Sequence, residues 1–239
     1  MPRLFSFPDG QALARAAAGD WLGLLERSSG PCLAALSGGG IARDFFAAVT
    51  ALAGKSGAPL QDVHFFWADE RCVPPSHPDS NFLLANENLL RPLGIAADKI
   101  HRLKGELPPA EAVAEGNAGL RRLAPRSAEG IPILDIVFLG LGEDGHTASL
   151  MANAPAAVRE CREPYVHVAN SPKPPPHRIS LTYPMLAAAR EVWTLVSGAG
   201  KETALRESMR PGGKTPFARV LRERAETRVY TDLQDLAAA

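Results

Sequence analysis

The chain has 239 residues, 46% of them apolar and 22% charged, and its 26 basic and 26 acidic side chains cancel. This is an ordinary soluble globular composition, long enough to bury a real core; it lacks the basic surplus that nucleic-acid binding requires, any run approaching membrane-spanning length and, over residues 1–8, the apolar centre of a signal peptide. Three dispersed cysteines (Cys32, Cys72 and Cys161) read as reduced thiols, and neither they nor the scattered histidines show metal-ligand spacing, so a cytoplasmic protein with no metal, no nucleic-acid partner and no membrane association is expected.

Over residues 9–27, Leu13, Ala16, Ala17, Trp21, Leu24 and Leu25 recur at helical period, with Asp9 as a cap and Gly30 as a stop. The run from Cys32 to Leu36 then reads as a short buried strand entering Ser37, Gly38, Gly39 and Gly40. Helical periodicity resumes from Ile41 to Ala53 through Phe45, Phe46, Val49 and Leu52. Strand, glycine loop and helix in that order let backbone N–H groups converge on an anion, with the helix dipole adding to the attraction. The same glycines also suit a tight turn needing positive φ. No Gly-Lys-Ser/Thr follows, and the loop is not a dinucleotide fingerprint, which disfavours a nucleoside triphosphate.

Residues 63–68 predict another apolar strand, closed by Asp69, Glu70 and Arg71 ahead of a polar loop over 72–80. Such charges are either the solvated edge of a loop or part of a site, and the prolines at 74, 75 and 78 are stiff enough to present them in fixed directions. A short helix is predicted over 82–90 and a more polar, surface helix over 110–123.

The stretch from Leu134 to Leu150 is the most informative. An apolar run over 134–139 reads as a buried strand of a parallel sheet, and the glycines after it turn the chain. From Gly145 to about Met151 the composition is that of a helix start, which places Asp144 and His146 at a strand's carboxyl end beside a helix N-terminus. Three readings compete. Gly140-x-Gly142-x-x-Gly145 is a literal dinucleotide fingerprint, but Asp144 would set a carboxylate where a pyrophosphate should sit, and no acidic residue ends the next apolar run, 166–170. A second reading makes Asp144 an N-cap and His146 a first-turn residue. In the third they form a general-base unit, the helix N-terminus keeping the imidazole neutral near pH 7.

Residues 171–178, with prolines at 172 and 174–176, are stiff and lie between strand-like segments, which favours a rigid active-site loop over a polyproline ligand. Strands are predicted over 179–182 and 191–196. Gly198, Ala199, Gly200 and Lys201 open a further helix, and the Lys201 ammonium could pair with the same anion. A helix over 215–224 and a strand over 228–231 close the chain. Strands and helices alternate without an internal repeat or a composition break, which predicts a single α/β domain over 1–239 with a mostly parallel sheet.

Four motifs then combine. Ala35-Leu36-Ser37-Gly38-Gly39, Trp67-Ala68-Asp69-Glu70-Arg71-Cys72-Val73-Pro74 with His77-Pro78-Asp79-Ser80-Asn81, Gly142-Glu143-Asp144-Gly145-His146-Thr147-Ala148-Ser149-Leu150, and His177-Arg178-Ile179-Ser180-Leu181-Thr182 with Gly200-Lys201 stand in the order expected of 6-phosphogluconolactonases. The resemblance spans roughly residues 30–225. It implies a modified Rossmann-type sheet with helices on both faces, like that of glucosamine-6-phosphate deaminase and ribose-5-phosphate isomerase. It also implies hydrolysis of 6-phospho-D-glucono-1,5-lactone to 6-phosphogluconate in the oxidative pentose phosphate pathway, with no metal or organic cofactor; a monomer or weak homodimer is expected.

In that resemblance His146 is the base that activates water, Asp144 orients its ring, and Arg71 steadies the oxyanion or the water. Ser37, Gly38 and Gly39 through their backbone, with Arg178 and Lys201, hold the phosphate, and Asp69 belongs to the substrate site. One departure stands out: Gly40 and Ile41 replace hydroxyl residues usual in the family loop, which shifts the work onto backbone donors and Lys201. Two alternatives remain, an amino-sugar-phosphate deaminase or aldose-ketose isomerase with Asp69 as base, and a non-catalytic sugar-phosphate sensor. Arg71 directly after Glu70, and the segment 174–178, favour the lactonase.

Overall fold

Residues 32–36 are buried at all five positions, and unbroken apolarity of this kind belongs to a strand covered on both faces. In a computed structural model, which describes residues 2–236, that strand lies inside a parallel sheet. Strand β1 (Arg3–Ser6) precedes helix α1 (Gly10–Glu26), whose N-cap Asp9 accepts the Ala12 N–H at 2.7 Å. Then come β2 (Cys32–Leu36), α2 (Gly40–Ala53), β3 (Val63–Trp67), β4 (Asp69–Arg71), α3 (Asn81–Ala85), α4 (Pro109–Leu123) and β5 (Ile136–Gly140). The second half runs α5 (Ala156–Arg159), β6 (Tyr165–Val168), β7 (Arg178–Leu181), α6 (Tyr183–Ala188), β8 (Glu191–Val196), α7 (Glu202–Met209), α8 (Pro216–Arg222) and β9 (Arg228–Thr231).

Six strands form the main sheet in the order β1-β9-β8-β5-β2-β3, and every ladder in it is parallel. An aromatic cluster ties the first two helices to it. The Trp21 ring of α1 lies 5.8 Å from Phe45 of α2, 6.4 Å from Phe65 of β3 and 5.0 Å from Phe138 of β5, and all four side chains are buried. Burial of this size dominates a core, so Trp21→Ala should cost about 3–5 kcal/mol.

A second, antiparallel sheet, β4-β7-β6, was not expected from the sequence. Ala68 joins the two sheets: its N–H donates to Leu36 of β2 and its carbonyl accepts from Leu181 of β7, both at 2.7 Å. Asp69, Glu70 and Arg71 are therefore a strand rather than a solvated loop edge. Glu70 is only 2% exposed because its carboxylate accepts the backbone N–H groups of Arg71, Asn81 and Phe82 and the Ser80 hydroxyl. Burial raises the Glu70 pKa, against the lowering effect of those three N–H donors.

Other expectations need correction. The helix predicted over 82–90 begins at Asn81, capped by Ser80, and continues as a π-helical turn over Asn86–Leu90. Strand β1 lies outside the elements predicted from the sequence. No helix follows Gly145: residues 141–154 run as turns, bends and an isolated bridge. The side chains of this stretch make tertiary bonds instead. The Thr147 hydroxyl donates to the Gly140 carbonyl at 2.8 Å, the Ser149 hydroxyl donates to Asp69, and Ala148 sits at φ 47°. Asp144 is consequently not an N-cap, and no helix dipole acts on His146.

Candidate active site

The loops leaving the carboxyl ends of β2, β3 and β5 converge, which is where open parallel sheets bind ligands. With the segment from Lys173 to Arg178 and with Lys201 they enclose a cleft of about 350 Å3. Its walls differ in kind. The β2 and β5 loops bring mostly main chain, in Gly38, Gly39, Gly140 and Gly142, whereas the small sheet brings Asp69, Arg71 and Arg178.

On the first wall, Gly39 at φ 102° is the N-cap of α2 and offers no side-chain acceptor, so the first N–H groups of that helix are not satisfied by a cap. The Ser37 hydroxyl donates to the Phe138 carbonyl at 2.9 Å, which leaves its main chain for any ligand. Gly38 has no alternative residue: a Cβ there would lie 1.8 Å from Asn81 Oδ1.

His146 comes from the turn after β5, and its Nδ1 lies 2.5 Å from Asp144 Oδ1. The turn is held by the Gly142 N–H donating to the His146 carbonyl and by Phe217 N–H donating to the Gly145 carbonyl. Gly142 is required by the close approach, since a Cβ would meet His146 Nδ1 at 2.0 Å and Asp144 Oδ1 at 2.5 Å. Burial pushes the Asp144 carboxyl up, but the hydrogen bonds and charge of His146 outweigh this and hold it below the ordinary value. An ionised carboxylate only accepts, so the shared proton belongs to Nδ1 and the Nε2 lone pair is the ring's acceptor.

Asp69 is tied down on both oxygens: Oδ2 accepts from Ser149 at 2.7 Å and Oδ1 from the Asn81 amide at 3.3 Å. Next to it the cations gather. Arg71 donates to the Asp79 carbonyl, and Arg178 donates through Nε and Nη2 to the carbonyls of Pro175, Lys173 and Pro174. Burial lowers the Arg178 pKa, and the nearby Arg71 charge acts in the same direction while Asp69 opposes it. Lys201 Nζ lies 3.9 Å from Glu143. Lys173 also lines the cleft.

Of the candidates drawn from the sequence, Ser37, Gly38, Gly39, Asp69, Arg71, His146, Arg178 and Lys201 line this one cleft, Asp144 stands behind His146, and Gly40 and Arg43 lie outside its lining. Sequence reasoning gave no role to Asn81, quoted only as the end of a motif, or to Lys173, whose charge inside a proline run was the available signal. Among the described residues there is no cluster of three or more His, Cys, Asp or Glu able to hold a metal, and no helix long and apolar enough to cross a membrane.

The profile of the family described as glucosamine-6-phosphate isomerases/6-phosphogluconolactonase matches residues 8–230. The chain belongs to this family. Within it, a 6-phosphogluconolactonase of Mycobacterium tuberculosis is 35% identical over 224 residues, which cover 89% of this chain and 87% of that one. A probable chloroplastic 6-phosphogluconolactonase of rice is 38% identical over 151 residues, but the match takes in 61% of this chain and 46% of the rice protein, so about half of that relative's length is spanned. Among solved structures, the 6-phosphogluconolactonase of Trypanosoma brucei superposes with a TM-score of 0.88 at 26% identity, covering 99% of this chain and 98% of the other. A monomeric glucosamine-6-phosphate deaminase, at TM-score 0.81 and 15% identity over 99% of both chains, shares the fold. The mostly parallel sheet expected from the sequence is thus the family's architecture, extended by the small antiparallel sheet.

Proposed function

We propose that the protein hydrolyses 6-phospho-D-glucono-1,5-lactone to 6-phosphogluconate, the second step of the oxidative pentose phosphate pathway. The observation that carries this reading is the Asp144-oriented His146 ring in a cleft shared with Arg71, Arg178, Lys201 and the glycine loop. His146 Nε2 takes a proton from water, and the resulting hydroxide equivalent attacks the C1 carbonyl. The tetrahedral oxyanion is balanced by Arg71. Collapse breaks the bond from C1 to the ring oxygen, and that oxygen takes the proton back from His146. Asp144 favours the imidazolium formed between these steps. At the far end Lys201, Arg178 and the main chain at Ser37, Gly38 and Gly39 hold the phosphate. These steps draw on water and on groups of one chain.

The isomerase or deaminase alternative makes Asp69 the base that removes a carbon-bound proton, whereas the Asp144-oriented imidazole of His146 supplies the water-activating base that lactone hydrolysis needs. A sensor has no use for an oriented imidazole. Acid release from the lactone, measured against its spontaneous hydrolysis, tests the proposal. Turnover well above the spontaneous rate is expected, with kcat falling about 10²–10⁴-fold in His146→Ala while KM changes little. Absence of wild-type turnover would overturn the reading, and an unchanged kcat in the variant would remove His146 from its role.

A further inference from the structure

Gly145, the one residue between Asp144 and His146, sits at φ 78°, in the left-handed region, and brings no side chain of its own to pack. The start of helix α8 meets it there. A Cβ built on Gly145 would lie 2.5 Å from the methyl carbon of Thr215 and 2.6 Å from its Cβ, so the Thr215 side chain fills the space beside the bare Cα. Two residues further on, the Phe217 N–H donates to the Gly145 carbonyl at 3.1 Å. Neither Thr215 nor Gly145 belongs to the lining of the cleft, so this contact lies behind the base and not beside the substrate.

Thr215 is itself held firmly. As the N-cap of α8 it accepts the Ala218 N–H on Oγ1 at 3.0 Å, and Pro216, next in the chain, has no N–H to place. The Ser208 hydroxyl of α7 donates its single proton to the Ala204 carbonyl at 2.6 Å, so in the 2.6 Å contact between Ser208 Oγ and Thr215 Oγ1 the threonine is the donor. Both capacities of the hydroxyl are engaged, one by α8 and one by α7. That fixes the rotamer of a side chain already stiff at χ1, and it leaves the methyl against Gly145.

We infer that Thr215 is a positioning residue for the proposed hydrolysis: its methyl stops the turn from relaxing about Gly145 and so keeps His146 Nδ1 at its 2.5 Å contact with Asp144 Oδ1. Glycine is the residue with the widest conformational freedom, and here it links the two members of the catalytic pair. Misplacing a catalytic group by about 1 Å costs on the order of a hundredfold in rate. Rigidity that the glycine cannot supply is therefore supplied from outside, by a side chain pinned to two helices. The inference rests on the lactonase reading and adds to it the residue that braces the base.

Thr215→Ser keeps the hydroxyl and the cap and removes only the methyl. Its kcat on the 6-phospholactone should fall about tenfold, with KM within about twofold of wild type. Ser208→Ala is the control: it takes away the hydroxyl's acceptor on α7 and leaves the methyl, and its kcat should stay within about twofold of wild type. In Asp144→Asn, where the carboxylate no longer holds the ring, the same Thr215→Ser change should cost less than about twofold, because residues that act as one unit are not additive. A threonine that merely caps a helix gives other results: a Thr215→Ser kcat equal to wild type, a loss shared equally by Ser208→Ala, or a loss undiminished in Asp144→Asn, and any of these overturns the inference. If Ser208→Ala does not fold, the Thr215→Ser loss in wild type and in Asp144→Asn decides alone. Wild-type turnover of the lactone stands whichever way these comparisons fall, so failure here is distinguishable from failure of the proposed reaction.

Discussion

Arg71 and Arg178 stand directly opposite one another across the β4–β7 pair, in the wall of the same cleft. Like charges in register on neighbouring strands repel, and the protein carbonyls around them relieve only part of that repulsion. An anion bound between or beside the two guanidinium groups removes it. The pair is thus a standing source of differential affinity for a phosphorylated ligand.

Inorganic phosphate or 6-phosphogluconate should therefore raise the melting temperature. At a hundred times Kd the gain is about 2.7 kcal/mol, or roughly 5–10 °C for a chain of this size. Arg178→Met should lose most of the rise and Arg71→Gln, whose guanidinium is assigned to the carbonyl end, less of it, read by differential scanning fluorimetry with and without phosphate. Equal rises in wild type and both variants would mean that the anion sits elsewhere.

Gly142→Ala forces a methyl into the contact between His146 Nδ1 and Asp144 Oδ1, at 2.0 Å and 2.5 Å respectively. The expected result is a kcat as low as that of His146→Ala, within the same 10²–10⁴ range, from a variant that keeps its far-UV circular dichroism. A fully active Gly142→Ala would show that the dyad tolerates displacement.

Lys201 bears on affinity rather than on chemistry. Lys201→Ala should raise KM by about ten- to a hundredfold with kcat little changed, the loss of a charged hydrogen bond to phosphate. Glu143, 3.9 Å from the ammonium and largely exposed, competes weakly for it. Glu143→Gln should lower KM by a factor of about two to three. Steady-state kinetics on the phosphorylated and unphosphorylated lactones separate the two effects, since neither variant should alter activity on the second substrate.

Acid should weaken the fold from pH 6.5 downward through His101. This ring stacks on Phe66 and hydrogen-bonds His64, and burial, followed by the His64 and Arg122 charges, lowers its pKa from 6.5 to about 4. In the window between those values the unfolded chain binds a proton that the folded chain does not, so this contribution is present above pH 6.5 and is lost as pH falls toward about 4. Asp144 adds to the loss below its ordinary value of 3.8, because its folded pKa is depressed. Urea midpoints between pH 7.5 and 4.5 should decline in the wild type and less steeply in His101→Gln, where His64 and His167, also held below the ordinary value by burial, still contribute. Parallel slopes would rule out His101 as the titrating group.

Which features could be read from the sequence follows from what each owes to local pattern. Cys32–Leu36 emerged with its observed bounds because burial on both faces leaves an uninterrupted apolar run. Asp69, Glu70 and Arg71 hid a strand because their burial depends on partners distant in sequence, among them Asn81, Ser149 and β7. The turn after β5 looked like a helix start because glycine, aspartate and threonine serve both purposes, and only the tertiary partners of Thr147 and Ser149 distinguish them. His146 and Asp144 were found for a sound chemical reason combined with a mistaken local one: their pairing exists, and the helix expected to tune it does not. Asn81 was given no role because its place in the cleft wall is set by tertiary partners, Asp69 and Glu70.

Ala68 is the only residue between β3 and β4, bonded on one side to β2 and on the other to β7. Because side chains alternate along a strand, one residue added or removed at this junction would exchange faces across β4. Glu70 would swing into the cleft while Asp69 and Arg71 turned away, with every amino acid still present. Chain length at this point is thus as binding a constraint as side-chain identity, and a library that varies chain length around the cleft should find this junction intolerant.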